Sequence, residues 1–384
     1  MRILRILTRA NVGGPARQAL ALWDQDTALD TQTLLVVGDL GSSETEIDFG
    51  SRPVLALDGI DSDSHGLVRL PTLGRAARPW RDLRAVKSLR ALIRKFQPDV
   101  LHTHTTQAGF FGRRAGVLEG VPVLAHTYHG HVLSDYYSMP VSFALRRLEA
   151  RLARRTQIPL AVSPSCRDEL HQMGIGDGRI QVIPPAIDLT AFQNQDRAAS
   201  RQLLGAEDKF VVGFVGRMVA IKQPAMFVEL LTSMPDVQGV LLGDGPLRNG
   251  LALPSNAQAY GSVHEPSKYL AGMDALVLCS KREGCPLVAV EAFASGVPVV
   301  GFDVPGIRDA LRHWGTGLVV PPEQGVAGLR RAVEEVRRGS VGDRSRWQVE
   351  ASRLQRFDPA QVAAELRQHY AEALRGRPAF HGDC

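Results

Sequence analysis

Short apolar runs, each followed by a turn and then by helix-patterned sequence, recur along this chain in two series separated by a break. The first series holds Arg2 to Thr8, Thr33 to Val37, Val54 to Leu57, Asp99 to His104, Val121 to His126 and Ala161 to Ser163. The second holds Phe210 to Val215, Val237 to Leu242, Ala275 to Cys279, Val297 to Gly301 and Gly317 to Val320. Runs of this kind read as strands buried on both faces. Alternation with helices makes them parallel α/β sheets, whose ligands sit at the C-terminal ends of the strands. Between the strands, Pro79 to Phe96 is amphipathic, with Trp80, Leu83, Val86, Leu89, Leu92, Ile93 and Phe96 on one stripe. The break lies at Val182 to Asp188, where Pro184 and Pro185 are followed by a polar stretch, Gln193 to Arg201, that reads as linker. A chain of 384 residues accommodates two domains of this kind, each with its own core. The expected boundaries are 1–185 and 186–356, with a charged helical segment at 357–384 that frays from Arg375.

Charge and cysteine content narrow the class. No apolar run is long enough to cross a bilayer as a helix. The N-terminal MRILRILTRANVGG is too charged for a secretory signal and reads as a first strand. The four cysteines, Cys166, Cys279, Cys285 and Cys384, have no metal-binding spacing, so free thiols in a reducing cytoplasm are expected. The formal charge of +5 is unevenly placed. One basic cluster runs from Arg75 to Lys95 and another from Arg146 to Arg155. Each reads first as the solvated face of a helix. The sharper reading is attraction to an anionic membrane at its inner face, or to a phosphate-bearing substrate. Nucleic acid is excluded as a partner, since no interleaved aromatic residues accompany the charge.

The densest chemistry lies in Ser280 to Gly301, SKREGCPLVAVEAFASGVPVVG. Glu283 falls just before a short apolar helix, Leu287 to Ala294, whose first turn Pro286 suits and which Gly296 ends. Glu291 falls inside that helix and needs a polar partner if it is buried. Two carboxylates at a helix start can grip the hydroxyls of a polyol, while the free N–H groups there favour an anion. Upstream, Gly216-Arg217 and Lys222 follow a strand, a fork and a point charge suited to a diphosphate. Gly243-Asp-Gly245-Pro is another strand-to-helix turn. Arg248 stands where a dinucleotide fingerprint needs glycine, which disfavours a nicotinamide enzyme. In the first half, Gly13-Gly14-Pro15 opens a helix Ala16 to Trp23 and forms an anion-ready turn. Asp61-Ser-Asp63 reads as a solvated loop. His102 and His104 point the same way but lack a third metal ligand. Of His126, His129 and His131, His129 beside Gly130 is the one expected to reach a ligand hydroxyl; the other two are expected to be structural.

These pieces, in this order, resemble glycosyltransferase family 4, the "glycosyl transferases group 1" enzymes, over nearly the whole chain. The carriers are Gly13-Gly14, His129-Gly130, Ala161-Val-Ser163, Ile183 to Asp188, Gly216-Arg217 with Lys222, Gly243-Asp-Gly245-Pro, and Glu283-Gly with Glu291-Ala-Phe-Ala-Ser-Gly296. The resemblance implies the α/β GT-B fold: two Rossmann-like domains with a nucleotide-sugar in the cleft between them, and a C-terminal helix crossing back to the first. It implies retaining transfer of a hexose or N-acetylhexosamine without metal or other cofactor. The donor is expected to be UDP-linked, and the acceptor a glycan or a lipid-linked glycan of the cell surface. Carried over residue by residue, Arg217 and Lys222 hold the leaving diphosphate, aided by amides near Gly14. Glu291 accepts from the ribose, while Glu283 and His129 contact the sugar. Gly13, Gly216, Gly243, Gly284, Cys285, Leu287 and Val288 complete the donor site. No residue is assigned as a nucleophile. The chain departs from the common pattern at Pro286 and at Gln223, where glycine is frequent, and at Pro185-Ala186, where Asn-Gly is usual. Two other readings use the same residues: a nucleotide-sugar 2-epimerase, and a non-catalytic two-domain sugar-binding protein.

Overall fold

Apolar strands that must be covered on both faces produce, in the computed structural model, two all-parallel sheets flanked by helices. The structure describes residues 1–29, 31–40, 45–74, 79–130, 138–206, 208–340 and 347–376, with the side chains of 79–82 and 340 excluded. The chain divides into one unit of Met1–Ile187 with Phe357–Cys384, and a second of Asp188–Arg356.

The first unit holds strands β1 (Arg2–Leu7), β2 (Gln32–Val37), β3 (Val54–Leu55), β4 (Gly66–Arg69), β5 (Val100–His104), β6 (Val123–Tyr128), β7 (Ile158–Ala161) and β8 (Gln181–Val182). They form an 8-stranded sheet of order β3-β4-β2-β1-β5-β6-β7-β8. Its helices are α1 (Gly14–Ala28), α2 (Pro79–Phe96), α3 (Thr106–Leu118), α4 (Met139–Arg154) and α5 (Pro164–Gln172). Alternate residues of β1 serve opposite layers, as period-2 geometry requires. Leu4 and Ile6 join Leu89, Leu92, Phe96 and Phe111 from α2 and α3. Ile3 joins Leu22 from α1 and Val362, Leu366 and Tyr370 from the C-terminal end of the chain. The third helix carries Gly109, Gly112 and Gly116 along one stripe. A Cβ at Gly109 would lie 2.4 Å from the His126 ring, and one at Gly112 would lie 2.6 Å from Thr103. Absent side chains therefore let this helix lie close on β5 and β6.

The second unit opens with α6 (Thr190–Gln193) and α7 (Arg197–Leu204). Its strands are β9 (Phe210–Val215), β10 (Val237–Leu242), β11 (Ala257–Gly261), β12 (Ala275–Leu278), β13 (Val299–Phe302) and β14 (Gly317–Val320), in the order β11-β10-β9-β12-β13-β14. Its other helices are α8 (Pro224–Thr232), α9 (Pro266–Leu270), α10 (Leu287–Ala294), α11 (Ile307–Asp309), α12 (Gly325–Ser340) and α13 (Ala351–Gln355). Beyond Arg356, α14 (Pro359–Leu374) packs on α1, β6 and β7 of the first unit.

Several expectations need correction. The polar stretch Gln193 to Arg201 is largely helical, because Asp196 accepts from the N–H groups of Ala198 and Ala199 and caps α7. Leu83 does not join the buried stripe of α2; it is 52% exposed, and the stripe begins at Ala85. Trp80 lies outside the described side chains. The strand at Val54 stops at Leu55, and Leu57 starts a short 3-10 turn. Strand β6 runs to Tyr128, so His126 is inside it and His129 stands just past its end. Strand β7 ends at Ala161, which frees Ser163 to cap α5 by accepting from Cys166 N–H. Pro286 is the cap residue before α10 rather than its first helical residue, with ψ of 97°. His131 and the C-terminal residues 377–384 lie outside the described residues.

Candidate active site

In the second unit, glycines lace the ends of β9 and β10 together. Gly216 N–H donates to Leu242 O at 3.0 Å, Met218 N–H to Asp244 O at 2.8 Å, and Gly243 N–H to Gly261 O at 2.7 Å. Gly243 has φ +120°, and a Cβ on it would lie 2.1 Å from Gly216 O. Only glycine fits there. This lacing sets the loop that carries Arg217 and Lys222. The Arg217 side chain is exposed and forms no side-chain hydrogen bond to another described residue. Lys222 ends a 3-10 turn, and Gln223 behind it is left-handed, with φ +49°. The glycine common at that position therefore has a conformational reason, and Gln223 carries strain.

The carboxylate segment is tied to this loop. Lys281 N–H donates to Ile221 O at 2.9 Å, which brings the start of the segment beside Lys222. There the Lys222 ammonium pairs with Glu283 Oε1, their side chains being 21% and 11% exposed. Ser280 Oγ donates to the same oxygen at 2.7 Å. The loop after β13 closes over the segment: a Cβ at Gly306 would lie 2.6 Å from Glu283 O. Gly284, Cys285 and Val288 are partly exposed, whereas Leu287 is buried. Helix α10 has no side-chain cap, so the N–H groups of its first turn are not satisfied by a capping side chain. Glu291 is buried on α10. The arrangement offers two cations, an uncapped helix start and two carboxylates within one segment of loops at the strand C-termini. That combination can hold a diphosphate and accept from hydroxyls.

In the first unit, Gly13 caps α1 with extended backbone, and a Cβ there would meet nothing closer than 3.6 Å. Neither local space nor conformation demands glycine at that point. His129 stands after β6, half-buried, and its Nε2 lies 3.1 Å from His104 Nδ1. A small pocket beside it is lined by Thr105, Thr106, His126, Tyr128, Gly130 and Glu149. Burial pushes His129 down to about 3, so the ring is neutral at physiological pH. Burial also holds His102, His104 and His126 well below the ordinary histidine range. Each of these has structural partners. His126 Nδ1 is 2.8 Å from Thr103 Oγ1. His102 Nδ1 is 3.2 Å from Arg5 and 2.6 Å from Tyr370 Oη, and its Nε2 is 2.8 Å from Thr127 Oγ1. Asp61 of the D-x-D accepts from Ser64 and from Asp63 N–H within its own turn. Among the described residues no cluster of His, Cys, Asp and Glu could hold a metal ion. Sequence reasoning missed Ser280 and the link from His104 to His129. The H-x-H at the end of β5 is the available signal, although its pattern reads as a metal motif and not as a link to His129.

The fold belongs to a known class. The structure matches that of HepE from Anabaena in complex with UDP and glucose, with a TM-score of 0.76 at 19% identity, over 97% of this chain and 100% of that one. Two parallel-sheet α/β units of this type make up the GT-B fold. Residues 34–191 match the model of Glycosyltransferase Family 4, and residues 209–338 match that of Glycosyl transferases group 1. The chain is 34% identical to a GDP-mannose-dependent alpha-mannosyltransferase from Mycobacterium tuberculosis, over 76% of this chain and 77% of that protein. It is 29% identical to the UDP-Gal:alpha-D-GlcNAc-diphosphoundecaprenol alpha-1,3-galactosyltransferase of Escherichia coli, over 67% of this chain and 71% of the other. The protein is a member of glycosyltransferase family 4.

Proposed function

We propose that the protein is a retaining hexosyltransferase that moves a hexose or N-acetylhexosamine from a UDP-sugar to a glycan or lipid-linked acceptor. The observation that carries this reading is the meeting of Lys222 with Glu283, 61 residues apart in sequence, on the loop that also carries the exposed Arg217. The two cations receive the diphosphate, and their charge offsets what develops on it as the glycosidic bond breaks. This makes a metal ion unnecessary. Glu291 takes the ribose hydroxyls and Glu283 the sugar hydroxyls. Neutral His129 donates a hydrogen bond to a sugar hydroxyl. Gly13, Gly14, Gly216, Gly243, Gly284, Cys285, Leu287 and Val288 leave the backbone close to the donor. The Escherichia coli relative named for UDP-Gal and a diphosphoundecaprenol acceptor supports a UDP donor and a lipid carrier. The mycobacterial relative named for GDP-mannose makes GDP the competing base.

We assign contact with the inner face of an anionic membrane to one of the two basic helices. On α2, Arg90 and Arg94 pair with Glu119, and Lys95 donates to the carbonyls of Leu57 and Asp58. On α4, Met139 is 87% and Phe143 60% exposed, with Arg147 over the Phe143 ring and Arg151 exposed beyond it. Apolar and cationic groups together suit an interface, so the docking role falls to α4. Among the described residues no helix is long and apolar enough to cross a membrane. The membrane role is checked by co-sedimentation with phosphatidylglycerol vesicles: binding must weaken with salt and with Phe143→Ser.

The central test is a donor panel. The protein is incubated with UDP-, GDP-, dTDP- and ADP-sugars in EDTA, and released nucleoside diphosphate is measured by mass spectrometry. Release from a UDP-sugar that Lys222→Ala abolishes supports the reading. Release only from another donor moves the base, and release that requires added metal removes the metal-independent mechanism.

A further inference from the structure

The tautomers of the buried histidines of the first unit follow from which of their neighbours can donate. A guanidinium has no acceptor. The Arg5 Nη1 at 3.2 Å from His102 Nδ1 therefore makes that nitrogen an acceptor, which puts the His102 proton on Nε2, where it donates to Thr127 at 2.8 Å. Arg5 is itself fixed by Asp26, at 2.8 Å through Nη2 and 3.2 Å through Nε. His104 stacks on His102 at 4.2 Å between ring centroids and is completely buried. Its Nδ1 meets His129 Nε2 at 3.1 Å, while its Nε2 has no partner among the described residues. A proton on that Nε2 would be a buried N–H without an acceptor. A bare Nε2 leaves only a lone pair unmet, the more tolerated of the two deficits. His104 then carries its proton on Nδ1 and donates to His129 Nε2. The neutral His129 ring must in turn hold its own proton on Nδ1.

We infer that His104 is a positioning residue, which locks His129 in the Nδ1–H form so that its free edge presents an N–H donor. This rests on the reading of His129 as the group that meets a sugar hydroxyl. In the other form His129 would offer a lone pair at that edge. A hydroxyl could still meet a lone pair, but an oxygen gaining negative charge could not. Nothing in the family motifs distinguishes the two forms; the unpartnered His104 Nε2 and the His104–His129 contact do.

The test uses the full chain with ring-15N histidine. Two-bond proton–nitrogen correlations, with His129 assigned through His129→Ala, report which nitrogen is protonated. The expected wild-type result is Nδ1–H on His129. His104→Asn places an amide N–H near the former Nδ1 and should keep both that form and kcat within about threefold. His104→Leu should lose the fixed form and lower kcat by about tenfold or more, as loss of an orienting partner does. Affinity for UDP, measured by calorimetry, should not change in either variant. Nε2–H on His129 in the wild-type protein overturns the inference, as does wild-type kcat in a folded His104→Leu. If His104→Leu does not fold, the wild-type tautomer and His104→Asn decide the matter. The underlying role of His129 is separable: wild-type turnover in His129→Ala removes that role while leaving the tautomer result intact.

Discussion

Replacing Glu283 by glutamine should tighten the binding of the nucleoside diphosphate while slowing transfer. In the free protein the Lys222 ammonium is engaged by Glu283, and a diphosphate can recruit it only by competing with that carboxylate. Two unit charges about 4 Å apart at an effective dielectric of about 20 attract by roughly 4 kcal/mol. Desolvation and side-chain ordering remove much of this, and fully exposed pairs retain about 1 kcal/mol or less. With side chains 21% and 11% exposed, the Lys222–Glu283 pair lies between these limits. A net value of about 1–2 kcal/mol corresponds to roughly 5- to 30-fold in affinity. Glu283→Gln keeps the shape and the Ser280 hydrogen bond but releases Lys222. Its Kd for UDP, by titration calorimetry at low salt, should fall by that factor, while kcat falls at least about tenfold. Lys222→Ala removes a charge-assisted contact worth about 1.5–3 kcal/mol, so its Kd should rise by roughly 10- to 150-fold. Unchanged or weaker UDP binding in Glu283→Gln would show that Lys222 serves the diphosphate without leaving Glu283, and the competition argument would be wrong.

Other perturbations follow from single positions. Gly243→Ala puts a methyl group 2.1 Å from Gly216 O, so a loss of about 1–3 kcal/mol in urea unfolding is expected, with weaker UDP binding. Gln223→Gly relieves a left-handed non-glycine residue at the cost of backbone entropy, for a net gain of about 0.5–1 kcal/mol in the same assay. For pH, His129 is pushed down to about 3 and His102, His104 and His126 lie well below 6.5 in the folded state. The unfolded chain binds these protons first, so their stabilising contribution is complete above about pH 6.5 and is lost as pH falls. Melting measured at pH 7.5 and 5.5 should show a clearly lower midpoint at 5.5, and a flat profile would refute the neutral cluster.

How much of this could be read beforehand depended on what each segment is for. Helix α2 and strands β9, β10 and β14 have the bounds their sequence patterns imply, because periodic or continuous apolar segments mark their own ends, although Leu83 of α2 and Val319 of β14 are exposed. Helix α3 has no clear helical signature in the sequence, because Gly109, Gly112 and Gly116, which let it approach the sheet, lower its propensity. Strand β11, AQAYG, and strand β4 are short and lie toward the sheet edges, where apolar alternation is weak. The site residues were legible one by one as residue types at the ends of strands. Their partnerships were not: Lys222 with Glu283, Ser280 with Glu283, and His104 with His129 arise only when separate loops are brought together.

The return of α14 to the first unit has a consequence for biosynthesis. Val362, Ala363, Leu366 and Tyr370 cover Ile3, Leu22, Val100 and Ile158, and Tyr370 reaches His102. All of Asp188–Arg356 must be translated before they arrive, which at ribosomal speed takes on the order of 10–30 s. Throughout that interval the nascent first unit leaves exposed an apolar sheet face and a cationic Arg5 that awaits part of its surroundings. The second unit can meanwhile finish folding. The nascent protein should therefore recruit holding chaperones at its first half and shed them only when α14 emerges.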